Sequence, residues 1–189
     1  MKKILLTVAL ATSIFVSKAQ TALSENFDGT TGTGLPTGWT QSNVDGLTPD
    51  PALANLNFGT NAWISRVASG TNRILTSTSY YAPIGTSNDW IISPQISIPT
   101  AGYWLVFEAN SPDGQYLDGF QVKASTSGNA VANFSTNLLT VAAATTDYKY
   151  YAVDLSAYAG MNVYIAIVNN SNDKYLLNIN NFIVKKLPA

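Results

Sequence analysis

The sequence predicts an all-β domain, a sandwich or barrel of short antiparallel strands. Charged residues make up only 11% of the chain, while Thr, Ser, Asn, Tyr and Gly are abundant. Thr, Tyr and Val suit half-buried pleated surfaces, and Gly, Asn and Ser suit the turns between them. Short β-rich segments recur at even spacing, separated by turn signals and without sustained helical periodicity. The runs 103–107 and 163–168 are apolar on both faces, as central strands covered on both sides would be. No crossover helix is long enough to join parallel strands, so antiparallel pairing is expected.

The first expected strand, 23–27, ends at Asp28-Gly29. A Thr/Gly-rich loop follows and carries Leu35-Pro36-Thr37-Gly38-Trp39. Residues 43–61 form a second loop, irregular because it holds Asp45-Gly46 and Pro49-Asp50-Pro51. Further strands are expected at 62–67, 74–80, 90–98, 103–109, 120–125, 148–154, 163–168 and 175–184, with weaker ones near 131–134 and 138–141. One helical turn is expected at 155–160, closed by Gly160. The polar stretch 125–137 reads as turns within one domain rather than as a linker.

Residues 1–19 have the form of a secretory signal peptide. Lys2 and Lys3 precede an apolar run over 4–16, and Ser17-Lys18-Ala19 offers a small-x-small cleavage site. The run is too short and wrongly flanked for a membrane span. The expected mature chain, 20–189, is one domain large enough for its own core. Of the 10 basic residues, Lys2, Lys3 and Lys18 leave with the leader, so 7 remain against 11 acidic ones, a net charge of −4. That balance argues against nucleic acid and anionic membrane surfaces as partners, and no membrane insertion is expected. The expected location is outside the cytoplasm: extracellular, cell surface or periplasmic.

The chain contains no cysteine and no histidine. Cys/His zinc sites, thiol nucleophiles and Ser-His-Asp triads are thereby excluded. Carboxylates, hydroxyls, amides and a few Lys and Arg remain to carry any chemistry.

Four pieces of the chain look alike to one known family. They are Glu25-Asn26-Phe27-Asp28 with Leu35-Pro36-x-Gly38-Trp39; Asn88-Asp89-Trp90-Ile91-Ile92-Ser93-Pro94 with Ile96-x-Ile98-Pro99; Leu155 to Gly160 with Val163-Tyr164-Ile165-Ala166; and the segment from Asp173 to Val184. Together, and in this order, the sequence resembles the cleaved-adhesin and choice-of-anchor J domains of exported bacterial proteins, among them the adhesin domains of gingipain proteases. The resemblance implies an all-β, jelly-roll β-sandwich, here of about 9–11 antiparallel strands. It also implies structural calcium and a role in adhesion to extracellular protein or carbohydrate ligands. One departure is visible: relatives often carry paired aspartates in the last strand, where this chain has Asn180-Asn181. An amide oxygen ligates calcium but brings no charge.

Glu25 and Asp28 bracket the end of the first strand and, with Asn180 and Asn181, form the first candidate calcium set. Asp45 and Asp50 form a second, weighed against plain turn chemistry. Asp89 and Asp118 are expected in turns, and Arg66 and Arg73 as surface partners for acids. For a sugar-binding alternative, Trp39 and Trp63 beside loops, and Tyr80-Tyr81 at a strand end, are the candidate platforms; Trp90 and Trp104 are expected in the core. A hydrolase reading rests on Glu25 and Glu108, the only glutamates in the chain, and stands lowest because nothing in the sequence brings them together.

Overall fold

The structure, a computed structural model, describes residues 20–188. Residues 1–19, expected to be a signal peptide, lie outside the described residues. Twelve strands occur among those described: β1 (Thr21–Glu25), β2 (Thr40–Asn43), β3 (Ile64–Ser69), β4 (Asn72–Thr78), β5 (Asp89–Ile92), β6 (Ile96–Ile98), β7 (Tyr103–Asn110), β8 (Phe120–Ser125), β9 (Thr136–Val141), β10 (Lys149–Asp154), β11 (Met161–Asn169) and β12 (Leu176–Lys186). One sheet has the order β10-β7-β12-β4-β3, with β1 also paired to β12. The other has the order β2-β5-β11-β8-β9, with β6 also paired to β11. All these pairings are antiparallel.

The two sheets close on one apolar core. Leu105 and Phe107 of β7, Ile165 and Ile167 of β11, and Leu177, Ile179, Phe182 and Val184 of β12 all point into it. The spacing of that last set departs from strict alternation between Ile179 and Phe182. Asn181 is the extra residue: it adopts φ +50°, and the pairing of β12 with β7 shifts register between Asn180 and Ile183. Without that bulge, Phe182 and Val184 would turn out of the core. Asparagine is among the few residues that tolerate the left-handed conformation. The bulge also marks where β12 exchanges neighbours, pairing with β4 up to Ile179 and with β1 from Phe182.

The second sheet repeats the device. β11 pairs with β6 at its start and β5 at its end. The expected strand 90–98 is split there at Ser93-Pro94, because proline cannot donate to a ladder. Ser93 covers the gap: its N–H donates to Ile165 O (2.9 Å), and its Oγ accepts from Ile165 N (3.0 Å).

The two-faced apolar run 163–168 finds cover on both sides. Trp90, Ile92, Ala166 and Val168 form a cluster on the far side of the second sheet, closed by Phe134. The weak strand expected near 131–134 is instead a 3₁₀ turn, Val131–Asn133, which aims Phe134 at Trp90 with ring centroids 5.6 Å apart. On the first sheet, Leu53 and Phe58 cover Ile64 and Leu176. The outer face of β7 is less covered, and Trp104 is only half-buried there, not in the core as expected.

Candidate functional site

At one end of the sandwich the loops after β4, β7 and β11 form a cleft of about 330 Å³, lined by Tyr80, Asp113, Tyr116, Asp173, Lys174 and Tyr175. The rings of Tyr80 and Tyr175 lie 6.4 Å apart and inclined by 57°, resting on the cluster of Leu53, Ile64 and Leu176. Tyr116 stands opposite and is 49% exposed. Its turn is fixed by Asp113, whose Oδ1 accepts from the N–H groups of Gln115 (2.9 Å) and Tyr116 (3.3 Å).

Beneath the cleft sits a buried carboxylate. Asp118 has no exposed surface. Its Oδ1 accepts from Ser79 Oγ (2.7 Å) and Asn169 Nδ2 (3.1 Å), and its Oδ2 from Tyr175 N (2.9 Å). Ser79 Oγ in turn accepts from Lys174 N at 3.2 Å. One side chain thus ties together the ends of β4, β8, β11 and β12 and holds two cleft residues by their backbone. Burial pushes its carboxyl above the usual range, opposed by these donors. The Asp118-Gly119 pair carries an ordinary turn signal, which is why sequence reasoning missed this role.

Asp89 is a second buried carboxylate, 2% exposed, at the start of β5. Its Oδ2 accepts from Tyr81 OH (2.7 Å), whereas its Oδ1 is buried with no partner. Desolvation pushes the carboxyl up to about 8, and the nearby charge of Asp45 adds to that effect. Asp89 is therefore a core group rather than the turn residue expected, and Tyr81, 2% exposed, is its donor rather than a ligand platform.

Trp39 and Trp63 require the same correction. They are 6% and 0% exposed, and both belong to the central core. Trp39 packs edge-on against Phe27 and Phe182, at 5.5 and 5.0 Å between centroids. The indole N–H of Trp63 donates to Asp89 O at 3.1 Å. Flanking loops suggested exposure, but both rings turn from those loops into the core between the sheets. Of the four aromatic residues proposed as platforms, the structure puts Tyr80 in a cleft.

Of the first candidate calcium set, Glu25, Asp28 and Asn180 lie beside the point where β12 changes neighbours, and Asn181 does not join them. Glu25 stands opposite Phe182, and Asn180 Nδ2 donates to Asn72 Oδ1 at 3.1 Å. Asp28 Oδ1 accepts from Arg73 N at 2.8 Å, and Glu25 Oε1 accepts from Phe27 N at 2.7 Å. Asn181 leans the other way and donates to Glu108 Oε2 at 2.6 Å. Among the described residues no group of three or more carboxylates converges. A cation at this corner would rest on two carboxylates plus amide and backbone oxygens, a hard-oxygen set that suits calcium. The Arg73 side chain shares the corner, donating to Thr30 Oγ1, Ser65 Oγ and Gly32 O.

Asp45 and Asp50 are occupied with turn chemistry. Asp45 accepts from Leu47 N (2.7 Å) and Asn88 N, and Asp50 caps the 3₁₀ turn Pro51–Leu56 through Ala52 N (2.8 Å). Both arginines bond neutral groups: Arg66 donates to Thr76 Oγ1 (2.8 Å) and Asn178 Oδ1 (3.0 Å). Glu25 and Glu108 stand on strands either side of β12, paired with Phe182 and Asn180 respectively.

The profile of the Cleaved Adhesin Domain family matches residues 20–184. The chain belongs to that family. The cleaved adhesin domain is 30% identical over 165 residues to Hemagglutinin A of Porphyromonas gingivalis strain ATCC BAA-308 / W83, a match covering 76% of this chain and 7% of that protein. Among solved structures it is similar to the K3 cleaved adhesin domain of Lys-gingipain from P. gingivalis W83, at 22% identity and a TM-score of 0.66, covering 89% of this chain and 99% of that one. The K1 domain of the same protein gives 20% identity and 0.66, covering 91% and 100%. The CBM22-1 xylan-binding domain of Paenibacillus barcinonensis Xyn10C shares the fold at 11% identity and a TM-score of 0.54, covering 90% and 97%.

Proposed function

We propose that this cleaved adhesin domain is an exported, non-catalytic binding module that holds an extracellular glycan in its tyrosine cleft. The convergence of Tyr80, Tyr116 and Tyr175 with Asp113, Asp173 and Lys174 carries the reading. Aromatic faces suit the apolar faces of sugar rings, and the charged groups at the rim supply donors and acceptors for hydroxyls. Family membership supports adhesion, and the fold shared with a xylan-binding domain is compatible with a saccharide. An extracellular protein is the second ligand class, distinguished by the same experiment. A neutral-glycan array followed by calorimetry on the purified protein should identify a bound series. Tyr116→Ala should weaken that binding about tenfold or more while leaving the unfolding midpoint in place, since Tyr116 is exposed. A Tyr116→Ala protein that binds like the wild type would overturn the cleft assignment.

Calcium belongs to the same proposal, as a structural ion at the corner of Glu25, Asp28 and Asn180, with Asn181 turned away toward Glu108. When bound there it would tie β1 to β12, with Glu25 and Asp28 supplying the negative charge that the amides do not. Thermal unfolding with excess calcium and with chelator checks this. A ligand at a hundred times its Kd adds about 2.7 kcal/mol to the folded state. The midpoint should rise with calcium, and Glu25→Ala should remove the rise. Identical midpoints in calcium and chelator would rule the ion out.

A further inference from the structure

We propose that the bound glycan runs out of the tyrosine cleft, across Lys174, into a second hollow of about 400 Å³ on the other side of the loop after β11. The proposal rests on the cleft being a glycan site, but its evidence is separate. The second hollow lies between the loop after β7, the end of β9 and the loop after β11. Leu117, Val141, Ala142, Asn170, Asn172 and Lys174 stand in its wall.

The two hollows meet along a narrow ridge. Lys174 lines both. Asp173 lines the cleft and Asn172 the second hollow; Tyr116 lines the cleft and Leu117 the second hollow. Consecutive Cα atoms are about 3.8 Å apart, so the step across is short against a few linked sugar rings. The ridge is also fixed from beneath. Lys174 N donates to Ser79 Oγ (3.2 Å) and Tyr175 N to Asp118 Oδ2 (2.9 Å). Ser171 Oγ accepts from Gly119 N (2.8 Å), and Ser171 O accepts from Ser87 N (2.7 Å). A loop already ordered in this way loses little entropy when a ligand binds.

The polar groups facing this path are ones the fold leaves open. Lys174 is bonded through its backbone N–H, and its ammonium forms no ion pair among the described residues. Asn170 is exposed, and its side-chain amide makes no hydrogen bond among the described residues. Asn172 donates its Nδ2 to Thr86 Oγ1 (2.9 Å), which leaves its Oδ1 open. Leu117, Val141 and Ala142 add apolar surface beside them. An apolar wall with a few open donors and acceptors is the usual make-up of a small-ligand site. No aromatic ring lines this hollow, so it adds hydrogen bonds to hydroxyls rather than stacking. Asp113 and Asp173 flank Lys174 on the cleft side, so the junction has no net positive charge. That suits a neutral chain and disfavours a polyanion.

Calorimetry with short and long members of the neutral series found on the array tests this. Long members should bind about tenfold tighter than short ones, the effect of one or two added hydrogen bonds, one of them to a charged group. Two variants at exposed positions act on the second hollow alone: Asn170→Ala removes a polar group and Ala142→Ile narrows the space. Each should reduce the gain of long members while short members bind as before and the unfolding midpoint holds. Affinity independent of chain length, or a gain that both variants leave intact, overturns the second hollow and leaves the cleft standing. Tyr116→Ala without effect on short or long members overturns the cleft, and the path across Lys174 with it. An array returning no neutral glycan overturns both.

Discussion

Replacing Asp89 by asparagine is expected to stabilise the domain at neutral pH and above, by up to roughly 3 to 5 kcal/mol. Asp89 keeps one short hydrogen bond, from Tyr81, and a second oxygen buried without any partner. Desolvation of its charged form raises the carboxyl to about 8 from its ordinary 3.8. Below pH 4 the group is protonated in both folded and unfolded chains and costs nothing. As pH rises toward 8 the unfolded chain releases the proton while the folded one retains it, and stability falls by about 1.4 kcal/mol per unit. Above 8 the loss levels off. The groups facing Asp89, namely Asp45, Tyr81, Ser77 and Ser87, include no cation to offset it. Burial shifts Asp118 in the same direction, so the wild type should be most stable in mild acid. Denaturant unfolding between pH 4.5 and 8 checks this, with the Asp89→Asn curve much flatter. Parallel curves for variant and wild type would show that Asp89 ionises freely.

Asp118→Ala should act in the opposite sense, costing about 3 kcal/mol or more. The difference lies in partners: Asp118 accepts three hydrogen bonds, from Ser79, Asn169 and Tyr175, at a site with no exposure. Removing the carboxylate leaves those donors buried and unpaired. Because Tyr175 N and, through Ser79, Lys174 N depend on it, the cleft should loosen as well. The expected outcome is a lower unfolding midpoint together with weaker glycan binding. Asp118→Asn, which keeps acceptor oxygen at the site, should recover part of both. A variant that loses stability but binds as before would separate the buried hub from the cleft.

The same two carboxylates show where sequence reading stops. In the sequence, Asp89 follows Asn88 and Asp118 precedes Gly119, and both pairs carry ordinary turn signals. Their burial arises because β4, β5, β8, β11 and β12 end at one corner, brought together from opposite sheets. Local pattern has no access to that. Trp39 and Trp63 fail for the same reason, since a loop position suggests exposure until the loop folds over the core. Tyr150 was placed on a strand, but its becoming a neighbour of Glu108 depends on β10 pairing with β7.

What the sequence determined by itself was the all-β class, most strand positions, the antiparallel pairing and the family. These follow from side-chain periodicity, turn residues and short motifs, all local properties of the chain. Tertiary structure alone decided the strand order, the bulge that makes Asn181 a backbone device, the two buried carboxylates, and the meeting of Tyr80, Tyr116 and Tyr175 in one cleft. Each depends on contacts between residues tens of positions apart, and those contacts are set by which apolar faces can be buried together rather than by any residue's own preference.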